Sequence, residues 1–162
     1  GGLSLPEIEQ IARETLQEIL KKMGIEARVN VRLSEQVAPD EETSPLILDV
    51  EGDDLGILIG RRGETLAALQ YITRLIVSRE VQEWVNLVVD VEHYKARREQ
   101  TLRQLAQRMA ERVSLSRQPI ALEPMPPYER RIIHLALRDH PVVTTQSVGK
   151  GDHRKVTIIP RR

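Results

Sequence analysis

Ile8, Ile11, Ala12, Ile19, Leu20 and Met23 recur at helical spacing. The helix they predict opens at a Ser4-x-x-Glu7 capping box, carries Pro6 in its first turn and stops at Gly24. Apolar and polar residues then alternate over 25–33, which predicts a strand. Residues 34–45 are polar, acidic and proline-bearing and predict a loop. A second strand is expected over 46–52. A short helix follows over 53–59, with Asp53 and Asp54 as N-cap candidates. Over 64–79, Leu66, Leu69, Ile72, Leu75 and Ile76 are expected to share the buried face of a helix, with Gln70, Arg74 and Ser78 opposite. A third strand, 84–91, begins at Trp84. This order predicts a two-layer α+β domain over 1–91.

The pattern then changes. Residues 92–113 form a long polar helix with a thin apolar stripe (Leu102, Leu105, Met109, Val113), read as a bridge to a second unit over 114–162. In that unit a short strand lies between prolines in 117–127 and a helix covers 128–139. Strands 141–148 and 154–160 follow, joined by a glycine-rich hairpin turn. No repeat or low-complexity tract is present.

Composition narrows the class. Of 162 residues, 40% are hydrophobic and 30% charged, the profile of a globular chain. No apolar run is long enough to predict a membrane span, and the N-terminus lacks the pattern of a signal peptide. With no cysteine, disulfides and thiolate metal sites are excluded, which fits a reducing compartment. The balanced net charge hides an asymmetry: residues 1–55 hold 5 Lys and Arg against 13 Asp and Glu, whereas residues 128–162 hold 8 against 3. Either the C-terminal part seeks anions or the two ends neutralise each other.

Between the short helix and the next lies Gly60-Arg61-Arg62-Gly63. Two glycines three apart permit a sharp corner and leave room for an incoming backbone. The free amides of a helix starting near Glu64 then face whatever the corner contacts. Arg61 and Arg62 add forked donors suited to phosphate oxygens. Ile57, Ile59 and Leu66 are expected to form an apolar floor for bases. Charge beside an apolar groove predicts a site for single-stranded nucleic acid. In the second unit, a helix over 130–139 places Arg130, Arg131, His134 and Arg138 within one arc of about 100°. Arg130 and His134, one turn apart, are expected to grip one phosphate. The alternative is a merely solvated face.

These residues carry a family resemblance. The stretch 56–72, GILIGRRGETLAALQYI, resembles the helix–Gly-x-x-Gly–helix of a K-homology (KH) domain, in the element order of the bacterial type. Residues 125–137, MPPYERRIIHLAL, followed by two strands, resemble an R-three-H domain, with Arg130 and His134 as its Arg-x-x-x-His. The tandem resembles the bacterial Jag (SpoIIIJ-associated) family over essentially the whole chain. The resemblance implies a three-stranded KH sheet with helices on one face, then a small β-α-β-β domain. It also implies cytoplasmic RNA binding, a role in cell elongation and division, and a small KH-only partner. A homodimer is a further possibility. Members often carry another N-terminal domain, and whether one precedes this chain is left open.

Other features weigh less. Lys150, Arg154, Lys155, Arg161 and Arg162 either extend a cationic track or keep the surface soluble. Trp84 is expected in the core, and Tyr71 and Tyr128 are ambiguous. No P-loop, Gly-x-Ser-x-Gly or metal-spaced histidines are present. Non-catalytic binding without cofactor or metal is therefore expected. An RNA phosphodiesterase using Arg130 and His134 is the distant alternative. A third reading is a protein-interaction module, docking a basic partner on the acidic first helix and the 34–45 loop.

Overall fold

The computed structural model describes residues 2–35 and 43–162, so most of the acidic 34–45 loop lies outside the described residues. The chain divides into two compact units, Gly1–Lys95 and Ala96–Arg162.

The first unit runs α1 (Leu5–Lys22), β1 (Arg28–Leu33), β2 (Leu46–Glu51), α2 (Gly56–Ile59), a single 3₁₀ turn (Arg61–Gly63), α3 (Glu64–Val81) and β3 (Leu87–Val91). Ser4 caps α1, its hydroxyl accepting from the Glu7 N–H and donating to the Glu7 carboxylate. Helix α2 starts after Leu55 without a side-chain cap, so neither Asp53 nor Asp54 performs that task. The sheet order is β1-β2-β3, with β1 antiparallel and β3 parallel to β2. Leu46, Leu48 and Val50 of β2 and Leu87, Val89 and Val91 of β3 alternate onto one face. Ala12, Leu16 and Leu20 of α1 and Leu66, Leu69 and Val77 of α3 join them in one core.

Helix α3 turns a different face inward from the one predicted. Leu66, Leu69, Thr73 and Val77 form the buried stripe, whereas Ile72, Leu75 and Ile76 are exposed. The predicted face maximised hydrophobicity; the observed one admits Thr73, whose hydroxyl is satisfied by the Leu69 carbonyl one turn back.

The second unit takes in α4 (Tyr94–Ser116), β4 (Ile120–Ala121), α5 (Pro127–Leu137), β5 (Val143–Val148) and β6 (Lys155–Pro160). Its sheet order is β4-β6-β5, fully antiparallel. Residues 92–113, expected to bridge, fall in a helix whose buried positions are Leu102, Ala106, Ala110 and Val113. They pack in one core with Ile133, Leu137, Val143, Val156 and Ile158. Beyond its first two residues, α4 therefore belongs to the second unit. The stripe looked thin because two of its members are alanines.

Candidate nucleic-acid interface

The corner between α2 and α3 is built around both glycines. Gly60 has φ 71° and ψ −175°, a region essentially restricted to glycine, and an added Cβ would lie 2.2 Å from Thr65 Oγ1. Gly63 is left-handed at φ 78°, and its Cβ would meet the Tyr94 ring at 2.9 Å. The protein's own packing thus demands both glycines, a stronger reason than room for an incoming backbone. Between them, Arg62 also has a positive φ of 53°. The Arg61 side chain is exposed and makes no hydrogen bond or ion pair among the described residues, its carbonyl accepts from the Glu64 N–H, and Arg62 is half-buried. Helix α3 begins at Glu64 with no side chain capping its N-terminus; the Gly63 and Glu64 N–H groups donate to the Gly60 and Arg61 carbonyls within the turn, and the positive end of the helix dipole lies at the corner. Of the predicted apolar floor, Ile57 is 70% exposed and Ile59 is half-buried against the core. Leu66 is buried at 3% exposure and presents no surface to a ligand.

From this corner a polar seam runs between α3 and the outer edge of β3. Gln70 Oε1 accepts from the Val89 N–H at 3.0 Å and from Lys95 Nζ at 2.9 Å. Arg74 donates through Nε (3.1 Å) and Nη2 (2.7 Å) to the Leu87 carbonyl. Ser78 Oγ accepts from the Val85 N–H at 3.1 Å. One helix face thus satisfies alternate outward-pointing backbone groups of the edge strand. Burial holds the Lys95 ammonium below the usual lysine range; Asp90 opposes that shift and Arg74 adds to it.

Trp84 sits at the far end of the seam. Strand β3 begins at Leu87, three residues later than predicted, and Trp84 is 67% exposed rather than in the core. The Arg74 guanidinium lies 5.4 Å from its ring centroid, within cation–π range. Tyr71 and Tyr128 are also exposed.

In the second unit the predicted cationic strip is divided. Arg131 and Arg138 are exposed. Arg130 is half-buried and donates to the Met125 carbonyl at 2.7 Å. Both nitrogens of His134 are occupied, Nδ1 by Thr145 Oγ1 at 2.6 Å and Nε2 by Ser147 Oγ at 2.7 Å. Thr145 and Ser147 share the face of β5 that buries Val143. His134 therefore fastens α5 to β5. The expectation that it grips phosphate beside Arg130 is corrected, because the hydroxyls already hold both ring nitrogens. Burial, then Arg130 and Arg154, keep its pKa below the ordinary histidine value, so the imidazole is neutral near pH 7. Arg154 and Arg161 likewise spend donors on the Gly149 and His140 carbonyls. Beneath α5, fully buried Glu129 receives Arg98 of α4 in a two-point pair, 2.9 Å from Nε and 3.1 Å from Nη2.

Periodicity places Gln70, Arg74 and Ser78 opposite the core but does not show that they reach the edge strand, and it does not single out Tyr94 or Lys95. A signal existed: Gln, Arg and Ser recur every four residues on a helix that precedes an edge strand. Gln82 and Glu83, polar residues between the helix and Trp84, also marked a turn rather than a strand.

Comparison with known proteins follows the same division. Residues 13–90 match the KH domain of the KhpA/KhpB type, and residues 100–160 match the R-three-H domain. The "RNA-binding protein KhpB" of Clostridium symbiosum is 36% identical over the full chain, which spans 76% of that relative. The proteins of the same name from Bacillus subtilis and Lactiplantibacillus plantarum are 37% and 33% identical, with 62% and 43% of their lengths covered. The corner, the two-unit order and these relatives agree: the chain belongs to the KhpB (Jag) family of tandem KH and R-three-H domain proteins.

Proposed function

We propose that the chain binds single-stranded RNA without cleaving it, through the Gly60–Gly63 corner. The observation that carries this reading is the corner's geometry. Two conformationally obligatory glycines present exposed Arg61 beside the uncapped start of α3. A helix dipole and a guanidinium then converge on one surface point, an arrangement suited to a sugar–phosphate strand. Ile57 supplies apolar surface next to it. The names of the relatives support RNA as the ligand. In the second unit, exposed Arg131 and Arg138 add long-range attraction, and Arg130 and His134 hold α5 in place. We assign the protein a bacterial cytoplasmic role in post-transcriptional control linked to elongation and division. Among the described residues no helix is long and apolar enough to cross a membrane.

The test is charge reversal. Arg61→Asp with Arg62→Asp should abolish binding of single-stranded RNA while the melting transition persists. Unchanged affinity in the double variant would remove the corner from the account.

A second reading has its own support. Tyr71, Ile72, Leu75 and Ile76 leave an exposed apolar stripe on α3, suited to a small KH-only protein or a second copy. If it docks a partner, Ile72→Glu with Ile76→Glu will dissociate the complex in sedimentation of RNase-treated protein. A wild-type chain that sediments alone at micromolar concentration, with either partner present, refutes that reading.

A further inference from the structure

We propose that Trp84 is a stacking platform for a nucleobase, extending the RNA footprint along the α3–β3 seam beyond the nucleotides held at the Gly60–Gly63 corner. The proposal rests on the RNA-binding reading of that corner.

Three observations carry it. First, an indole 67% exposed is a large apolar surface left in water, and the Arg74 guanidinium lies over one face of it, 5.4 Å from the ring centroid, leaving the other face to a base. Flat ring plus cation is the pairing on which bases of any sequence stack. Second, the ring is held on a fixed turn. Gln82 is left-handed at φ 62° and its N–H donates to the Ser78 carbonyl. The Glu83 N–H donates to the same carbonyl and the Val85 N–H to the Ser78 hydroxyl. Trp84 is thus flanked by residues anchored on Ser78, so little ordering entropy is lost when a base arrives. Third, contacts connect the platform to the corner without a break. Tyr94 packs on Gly63, Gln70 joins its neighbour Lys95 to the Val89 N–H, and Arg74 joins Leu87 to Trp84.

Length decides which nucleotide reaches the ring. Arg74 and Ser78, the α3 residues that hold the platform, lie ten and fourteen residues beyond Glu64, about 15–21 Å from the corner along the helix. Four stacked nucleotides, the number a KH loop clamps, cover about 14 Å at 3.4 Å each. Trp84 therefore serves a base outside that group, within reach of a longer strand.

Trp84 is the single tryptophan of the chain, so its fluorescence reports the site directly. The probes are unlabelled oligouridylates of four and ten nucleotides. The decamer should quench Trp84 emission and the tetramer should not. Trp84→Ala should bind the tetramer as the wild type does and the decamer roughly 5- to 150-fold more weakly. Trp84→Phe should recover most of the loss, and neither variant should shift the melting midpoint. Decamer binding without quenching, together with unchanged affinity in Trp84→Ala, overturns the platform and leaves the corner standing. An equal loss for both oligomers in Trp84→Ala also overturns it, because the ring would then act through the fold. If Arg61→Asp with Arg62→Asp leaves both affinities intact, the corner reading falls and takes this proposal with it.

Discussion

Replacing Arg61 and Arg62 separately by glutamine divides the corner's electrostatics from its shape. Both substitutions remove a charge and keep a polar side chain of similar reach. Arg61 is exposed and unpaired among the described residues, whereas Arg62 is half-buried at a positive φ. Only Arg61 is therefore placed to displace a full counterion from a phosphate. For a single strand, each neutralised phosphate contributes about 0.7 to the slope of log affinity against log salt. Arg61→Gln should flatten that slope by about 0.7, so a fourfold rise in salt should cost the variant about 2.6-fold less affinity than it costs the wild type. Arg62→Gln should flatten it by less. Stability should stay within about 0.5 kcal/mol for Arg61→Gln, as for other exposed substitutions. The assay is fluorescence anisotropy of a labelled single-stranded RNA over a series of salt concentrations, with thermal melts as control. A weakened Arg61→Gln with an unchanged slope would refute the reasoning, since the arginine would then act through conformation. A larger slope change at Arg62 would refute it equally.

Other outcomes follow from features elsewhere. Gly60→Ala should destabilise the first unit by roughly 2 kcal/mol or more, from its glycine-only backbone region and the clash with Thr65, and should abolish RNA binding; unaltered melting and binding would mean the corner relaxes freely. Arg98→Met should destabilise the second unit by roughly 3–5 kcal/mol, because fully buried Glu129 loses its two-point partner. An unchanged melting midpoint would contradict the assignment. The pKa of His134 is lowered by folding, so below about 6.5 the unfolded chain binds more protons than the folded one. The second unit should therefore lose stability as pH falls from about 6.5 through the lower folded value, and His134→Gln should remove that dependence in acid melts. Labelled RNA incubated with the protein should stay intact; cleavage abolished by His134→Ala would instead establish phosphodiesterase chemistry.

Element order was legible because each element has a strong period and a clear stop. The capping box at Ser4, the break at Gly24 and the glycine corner all placed boundaries within a few residues. Faces were less legible than elements. On α3, hydrophobicity favoured Ile72, Leu75 and Ile76, but the helix is wedged between the core and the edge of β3. That geometry buries Thr73 and turns Gln70 and Arg74 toward the strand. Trp84 was assigned inward on residue type alone, whereas the tie to Ser78 lifts the turn into solvent. At the second unit, the 100° arc placed Arg130 and His134 on one side correctly but could not show what faces them. Thr145 and Ser147 lie on a strand eleven and thirteen residues away in sequence, so a pairing that spends the imidazole leaves no trace in helical periodicity. Summed charge misled similarly, since Arg130, Arg154 and Arg161 end on carbonyl oxygens of their own chain.

The rim of β3 has a further consequence. A bare edge strand invites a foreign polypeptide to continue the ladder, the first step toward runaway cross-chain assembly. Here the Val85 N–H, the Leu87 carbonyl and the Val89 N–H are occupied by Ser78, Arg74 and Gln70 of α3. At those three groups the margin is closed to recruitment, so the polar face of α3 guards against cross-chain pairing as well as fastening the helix to the sheet.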